Sequence, residues 1–196
     1  MSKLVPIDIS MTNGIKDIMD KCHIIFKNSL ASRENRPQLD GREVLVPLKW
    51  LNYKAETFWH SASIERKNNI NILPCNNDIT SSICGNNCVE ARDSIILNGN
   101  VREKCIYRAV RVNWIRPVLE MYNKKDARVK YWEKVHTGKR NRIYLRYQEE
   151  EIDYLVILED ISENKVRFIT AYPIFFLNAK REYEKDYQNY LQSKKH

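Results

Sequence analysis

Apolar side chains fall at helical spacing from Ile15 to Leu30, at positions 15, 18, 19, 22, 25, 26 and 30. The spacing predicts a helix, with Thr12 or Asn13 capping its start. Val44 to Leu48 follows an Asp40-Gly41 turn and reads as a short strand. Ile115 to Tyr122 returns to the helical pattern, with Pro117 in a tolerated first-turn position. Beyond it the period changes to two. Four strand-like segments follow, Val129 to Val135, Arg142 to Tyr147, Tyr154 to Ile161 and Val166 to Ile174, joined by short polar links. Links this short force antiparallel neighbours, so the four segments make a meander. In the second, Ile143, Leu145 and Tyr147 alternate with Arg142, Tyr144 and Arg146. One face therefore meets a core while the other presents cations and an aromatic ring. Asn178 to Gln192 closes the chain as a polar, highly charged helix.

The fold class expected is α+β, with N-terminal helices, a four-stranded antiparallel sheet and a C-terminal helix. Residues 1–39 form an N-terminal helical segment and residues 40–196 the main domain. Between about 68 and 100 the sequence is rich in Asn and Ser, holds three of the five cysteines and loses its periodicity. It reads as an irregular insertion.

At 196 residues the chain suits one domain with a real core. No apolar run approaches the roughly 20 residues that span a bilayer. The start of the chain carries Asp8 where a secretory signal needs an unbroken apolar stretch. The expectation is a soluble cytoplasmic protein without a membrane partner. An odd count of five cysteines agrees with a reducing compartment. Cys75, Cys84 and Cys88 raise the question of zinc, but no paired histidine follows and a structural site needs four ligands. They are read as unligated, and no cofactor is expected. A phosphate-cradling glycine loop and a nucleophile elbow are both missing, so nothing supports ATP-driven or serine-hydrolase chemistry.

The net charge of +8 changes the picture because it is uneven. Val101 to Gln148 holds 14 Lys and Arg against 4 Asp and Glu, an excess of ten, larger than that of the whole chain. Such a concentration attracts a polyanion.

Several short motifs now line up in one order. They are Phe58-Trp59-His60; Arg108, Arg111, Trp114 and Arg116-Pro117; Trp132-Glu133 with Gly138-Lys139-Arg140; Tyr154 to Leu158; and Thr170-Ala171-Tyr172. The series resembles the phage-type nucleases of the barnase–EndoU–colicin–RelE superfamily, from about Asp40 to the C-terminal helix. The chain departs from that pattern at Ala109-Val110, where the family has Cys-Glu, at Ile161, where an arginine is usual, and in a longer segment between His60 and Arg108. The resemblance implies a metal-independent endoribonuclease of a phage, prophage or toxin setting.

RNA cleavage of this kind needs a base for the 2′-hydroxyl, cations for the pentavalent phosphate and an acid for the leaving 5′-oxygen. His60 is the proton-transfer candidate, since imidazole titrates near neutrality. Arg111 and Arg116 are the expected phosphate clamps, because guanidinium forks match phosphate oxygens bidentately. Thr170 and Tyr172 share one face of the last strand and enter, through the resemblance, as supporting hydroxyls. Arg108 ranks next, Trp114 is a base-stacking candidate with a core role as the rival reading, and Lys139, Arg140, Arg142 and Arg146 form a basic edge for RNA guidance. His136 reads as a turn residue. The partner expected is RNA (transfer, messenger or ribosome-associated), with an acidic antidote protein as a further one. Two rivals stay open: a nucleic-acid binder that keeps the fold without catalysis, and a protein-binding effector whose basic face meets an acidic inhibitor.

Overall fold

The computed structural model describes residues 3–65, 93–136 and 140–194. Helix α1 (Gly14–Phe26) runs on through a wider turn (Lys27–Ala31) and buries Ile18, Met19, Cys22 and Phe26. Its start is not capped by the expected side chains. The Thr12 hydroxyl donates to the Ile9 carbonyl instead, and the Asn13 amide reaches the Asp17 carboxylate. Two short strands, β1 (Gln38–Leu39) and β2 (Arg42–Leu45), flank Asp40 and Gly41. Both of these residues have positive φ (53° and 79°), the backbone of a two-residue hairpin turn. A minor hairpin of β3 (Trp50–Leu51) and β4 (Lys54–Ala55) leads into α2 (Glu56–Ala62).

Residues 66–92, the bulk of the expected irregular insertion, lie outside the described residues, as do Cys75, Cys84 and Cys88. The remainder of that stretch is ordered rather than irregular. Strands β6 (Ser94–Leu97) and β7 (Asn100–Lys104) form a hairpin, which pairs through β7 with β5 (Ser63–Glu65). Asn98 and Gly99 make its turn with φ of 52° and 80°. An Asn-Gly pair next to strand-forming residues is a strong local hairpin signal, and it corrects the irregular reading for residues 93–100 alone. Next come α3 (Ile106–Ala109) and α4 (Ile115–Asn123).

The four expected strands are present as β8 (Val129–His136), β9 (Arg140–Glu149), β10 (Ile152–Ser162) and β11 (Lys165–Pro173), each antiparallel to the next. They do not make the whole sheet. β2 adds alongside β11 in parallel and β1 follows, giving a six-stranded mixed sheet of order β1-β2-β11-β10-β9-β8. The four-stranded expectation is corrected in this respect, because β2 is too short to stand unpaired and finds the β11 edge. α5 (Leu177–Ser193) closes the chain.

The two faces of the sheet are covered differently. One carries the main core, where Ile143, Leu145, Tyr147, Val156, Leu158 and Phe168 meet α1, α2 and α4. The N-terminal segment belongs to this core through Leu4, Ile7, Ile9 and Ile18. The other face carries a smaller aromatic cluster of Trp132, Tyr144, Leu155 and Ile157 beneath Tyr183, Tyr187 and Tyr190 of α5. Among the described residues no helix is long and apolar enough to cross a membrane.

Candidate nucleic-acid cleft

β2 pairs with β11 only as far as Arg167, and α2 lies along the edge beyond it. Phe58 and Trp59 anchor this helix. Phe58 is fully buried against Phe26, and the Trp59 indole donates to the Leu51 carbonyl at 2.8 Å. Two hydrogen bonds then staple α2 to β11. The Thr170 hydroxyl donates to the His60 carbonyl at 3.1 Å, and the Ala171 amide donates to the Ser61 hydroxyl at 3.2 Å. The motifs around His60 and Thr170, 110 positions apart, thus meet physically.

A register shift between Ile157 and Leu158 makes Ile169 an extra residue of β11. Without it, Phe168 and Thr170 would share a face. With it, Phe168 enters the main core while Thr170 and Tyr172 face the cleft.

That cleft has a volume of about 740 Å³ and lies at the margin of α5. His60 enters it with a side chain one-third exposed; its Nε2 lies 3.5 Å from Asn98 Nδ2 and 3.9 Å from Glu56 Oε1. Burial, reinforced by the Arg102 guanidinium, holds the imidazole below the ordinary histidine pKa, while Glu56 and Glu65 oppose the shift. The shift favours the neutral ring, the form in which one nitrogen can accept a proton.

Two arginines converge on Ser63 beside it. Arg102 donates from Nε to the Ser63 hydroxyl (2.8 Å) and from Nη2 to its carbonyl (3.0 Å), with Nη1 on Glu65 at 2.9 Å. Arg108 Nη1 reaches the same carbonyl at 2.8 Å. The Arg108 guanidinium lies over the Tyr172 ring at 4.7 Å and the Phe175 ring at 5.5 Å, and its buried Nε makes no hydrogen bond. Burial depresses the pKa of both guanidinium groups, yet arginine stays charged at any physiological pH. The Tyr172 phenol shares a 2.7 Å hydrogen bond with that of Tyr183. Lys134, His136 and Arg142 line the cleft from the β8 and β9 strands.

Arg111 and Arg116, expected as the phosphate clamps, are not among the residues lining this cleft. The Arg111 guanidinium is stacked 3.5 Å over the Tyr107 ring and 5.0 Å from that of Trp114, and it donates to the Tyr107 carbonyl. It borders a different cavity of about 380 Å³, together with Asp153 and Lys180. Arg116 ties α4 to the end of α1. It pairs with Glu120 at 2.9 Å and donates to the carbonyls of Ser29 and Asn35. Trp114 is buried, with its indole nitrogen on the Val5 carbonyl, so the core role wins over base stacking. Arg146 is also removed from the basic edge. Its side chain is 3% exposed and grips Asp153 bidentately at 2.8 and 2.6 Å. Arg140 stays exposed at the margin, and Lys139 lies outside the described residues.

Arg102 is not singled out by sequence pattern, and His136, read as a turn residue, ends β8 and lines the cleft. The Asn98-Gly99 hairpin signal points to Arg102, whereas nothing local marks His136 as facing a cleft. Ala109 and Val110 are fully buried, so apolar side chains at these positions fill core space. Among the described residues, no group of three His, Cys, Asp or Glu side chains gathers as a metal site. No family model, curated protein or solved structure matches the chain.

Proposed function

We propose that the chain is a metal-independent endoribonuclease, acting in the cytoplasm, that cuts RNA through attack of a 2′-hydroxyl on the adjacent phosphate. The observation that supports this reading is the meeting of a neutral imidazole, two guanidinium groups and two hydroxyl side chains, drawn from α2, β7, α3 and β11, at one cleft. His60 takes the 2′ proton as the 2′-oxygen bonds to phosphorus. Arg102 and Arg108, in place of Arg111 and Arg116, stabilise the charge that builds on the non-bridging oxygens. The phosphorus–5′-oxygen bond breaks and the leaving oxygen takes the Tyr172 phenol proton, which leaves a 2′,3′-cyclic phosphate and a 5′-hydroxyl. Thr170 holds the His60 backbone in place and is a positioning residue.

One observation favours a non-catalytic RNA-binding protein instead: Arg102 and Arg108 both already spend donors on Ser63. Incubation with total RNA in excess chelator, followed by analysis of the cut ends, separates the two. The expected result is cyclic phosphate ends from the native protein and a loss of about 10²–10⁴-fold in rate for His60→Ala at an unchanged thermal midpoint. Full activity in that variant overturns the assignment.

A further inference from the structure

The strand register carries a line of charge from the cleft across the sheet. Lys134 on β8 lies directly opposite Arg142 on β9, Arg142 opposite Glu159 on β10, and Glu159 opposite Arg167 on β11. One row further along, His136 faces Arg140. Strands about 4.8 Å apart make the four-residue row roughly 14 Å long.

Like charges set directly opposite one another in a sheet disfavour folding unless something neutralises them. Under α5 this happens. Lys130 opposes Arg146, and Glu184 accepts from both, at 2.8 and 3.2 Å. In the row of Lys134 and Arg142, at the margin of α5, no one carboxylate accepts from both cations. Asp186 pairs with Lys134, and the nearly buried Glu159 accepts from Arg167 and, at 3.5 Å, from Arg140. Asp186 and Glu159 are thus the carboxylates that pair directly with Lys134, Arg140 and Arg167, Glu182 adds its charge near Lys134, and Arg142 makes none of these ion pairs. The Nε atoms of Arg142 and Arg167 are buried without a hydrogen bond, so neither guanidinium sits in a fully bonded orientation.

We propose that this row is a track for the backbone of single-stranded RNA, which continues from the cleft over Arg142 and Arg167 and takes the place of the missing carboxylate. The inference rests on the endoribonuclease reading for its substrate. It makes that substrate an oligonucleotide held by phosphates beyond the scissile one.

The test is fluorescence anisotropy of a labelled ten-nucleotide oligouridylate and of a labelled dinucleoside monophosphate, across a salt series. For Arg142→Gln/Arg167→Gln we expect at least tenfold more affinity lost on the ten-mer than on the dinucleotide. The salt slope should fall by about 1.4, near 0.7 for each lost single-strand phosphate contact. Removal of Arg167 leaves Glu159 with less compensation, so Arg140→Gln/Arg142→Gln serves as the second variant. It keeps the Glu159–Arg167 pair, removes Arg142 from the track, and is expected to lower the slope by at least about 0.7 at an unchanged thermal midpoint. An unchanged slope in both variants, equal loss on the two ligands, or equal loss on a poly-glutamate of matched charge overturns the track. Failure of the native protein to cut any RNA defeats the enzymatic reading alone, since the slope reads the track without catalysis.

Discussion

The two faces of the central sheet solve the same covering problem by different means. On the face that meets α1, α2 and α4, Leu145, Val156, Leu158 and Phe168 are fully buried, and shape alone closes the layer. On the other, α5 has no buried residue of its own; it is held by tyrosines against Trp132 and by ion pairs from Glu184 and Asp186. The first face is a continuous core. The second is closed under the helix and open beyond it, and the cleft forms at that margin. Charges on this face are paired under the helix, where Glu184 accepts from both Lys130 and Arg146, and are less fully paired at its margin, where Arg142 keeps a buried Nε without a hydrogen bond.

The contrast makes measurable claims, beginning with the largest effect. Phe168→Ala opens a cavity in the continuous core and should lower stability by about 3–5 kcal/mol in denaturant titrations. Tyr187→Ala, on the α5 face, should lower it by only about 1 kcal/mol. Comparable losses would show the two faces to be equally packed. Asp153→Ala leaves the Arg146 guanidinium buried without its bidentate partner, at an expected loss of about 3 kcal/mol. In the double variant Asp153→Ala/Arg146→Met most of that loss should return, because the desolvated charge has gone too.

A pH titration sharpens the comparison from the core side. His23 is buried, and its Nε2 accepts the Ala55 amide at 3.1 Å, which requires the neutral ring. Burial, with Lys54 and Lys27 adding to it, lowers its pKa from 6.5 to about 4. A folded pKa below the unfolded one means that the unfolded chain binds more protons in this window. The stability this residue contributes is complete above pH 6.5 and is lost as pH falls through about 4, amounting to about 3 kcal/mol. Equilibrium unfolding between pH 7 and 4 should show this slope in the native chain and lose it in His23→Gln.

Much of the fold was legible because regular elements follow local periodicity. The alternation from Arg142 to Tyr147 was enough to assign Arg142 and Tyr144 to one face and Ile143 and Leu145 to the other, and short polar links dictated antiparallel neighbours. What periodicity could not reveal was where strands stop being neighbours in sequence. β2 joins β11 in parallel across more than a hundred residues, and that pairing depends on which edge is left free.

The site divides along the same line. His60 comes from one motif and Thr170 and Tyr172 from another, and their joint position at the cleft depends on the Ser61 and Thr170 hydrogen bonds between α2 and β11. Which cations stand beside the imidazole was a tertiary decision. Arg102, Arg108, Arg111 and Arg116 are alike as residues, and only their surroundings distinguish them. Ser63 gathers the first two, Tyr107 and Trp114 hold the third, and Asn35 and Glu120 hold the fourth. The amino-acid order sets which groups exist and which face of an element they occupy. Long-range packing decides which of them meet, because a guanidinium takes whichever carbonyl, carboxylate or ring the fold brings within reach.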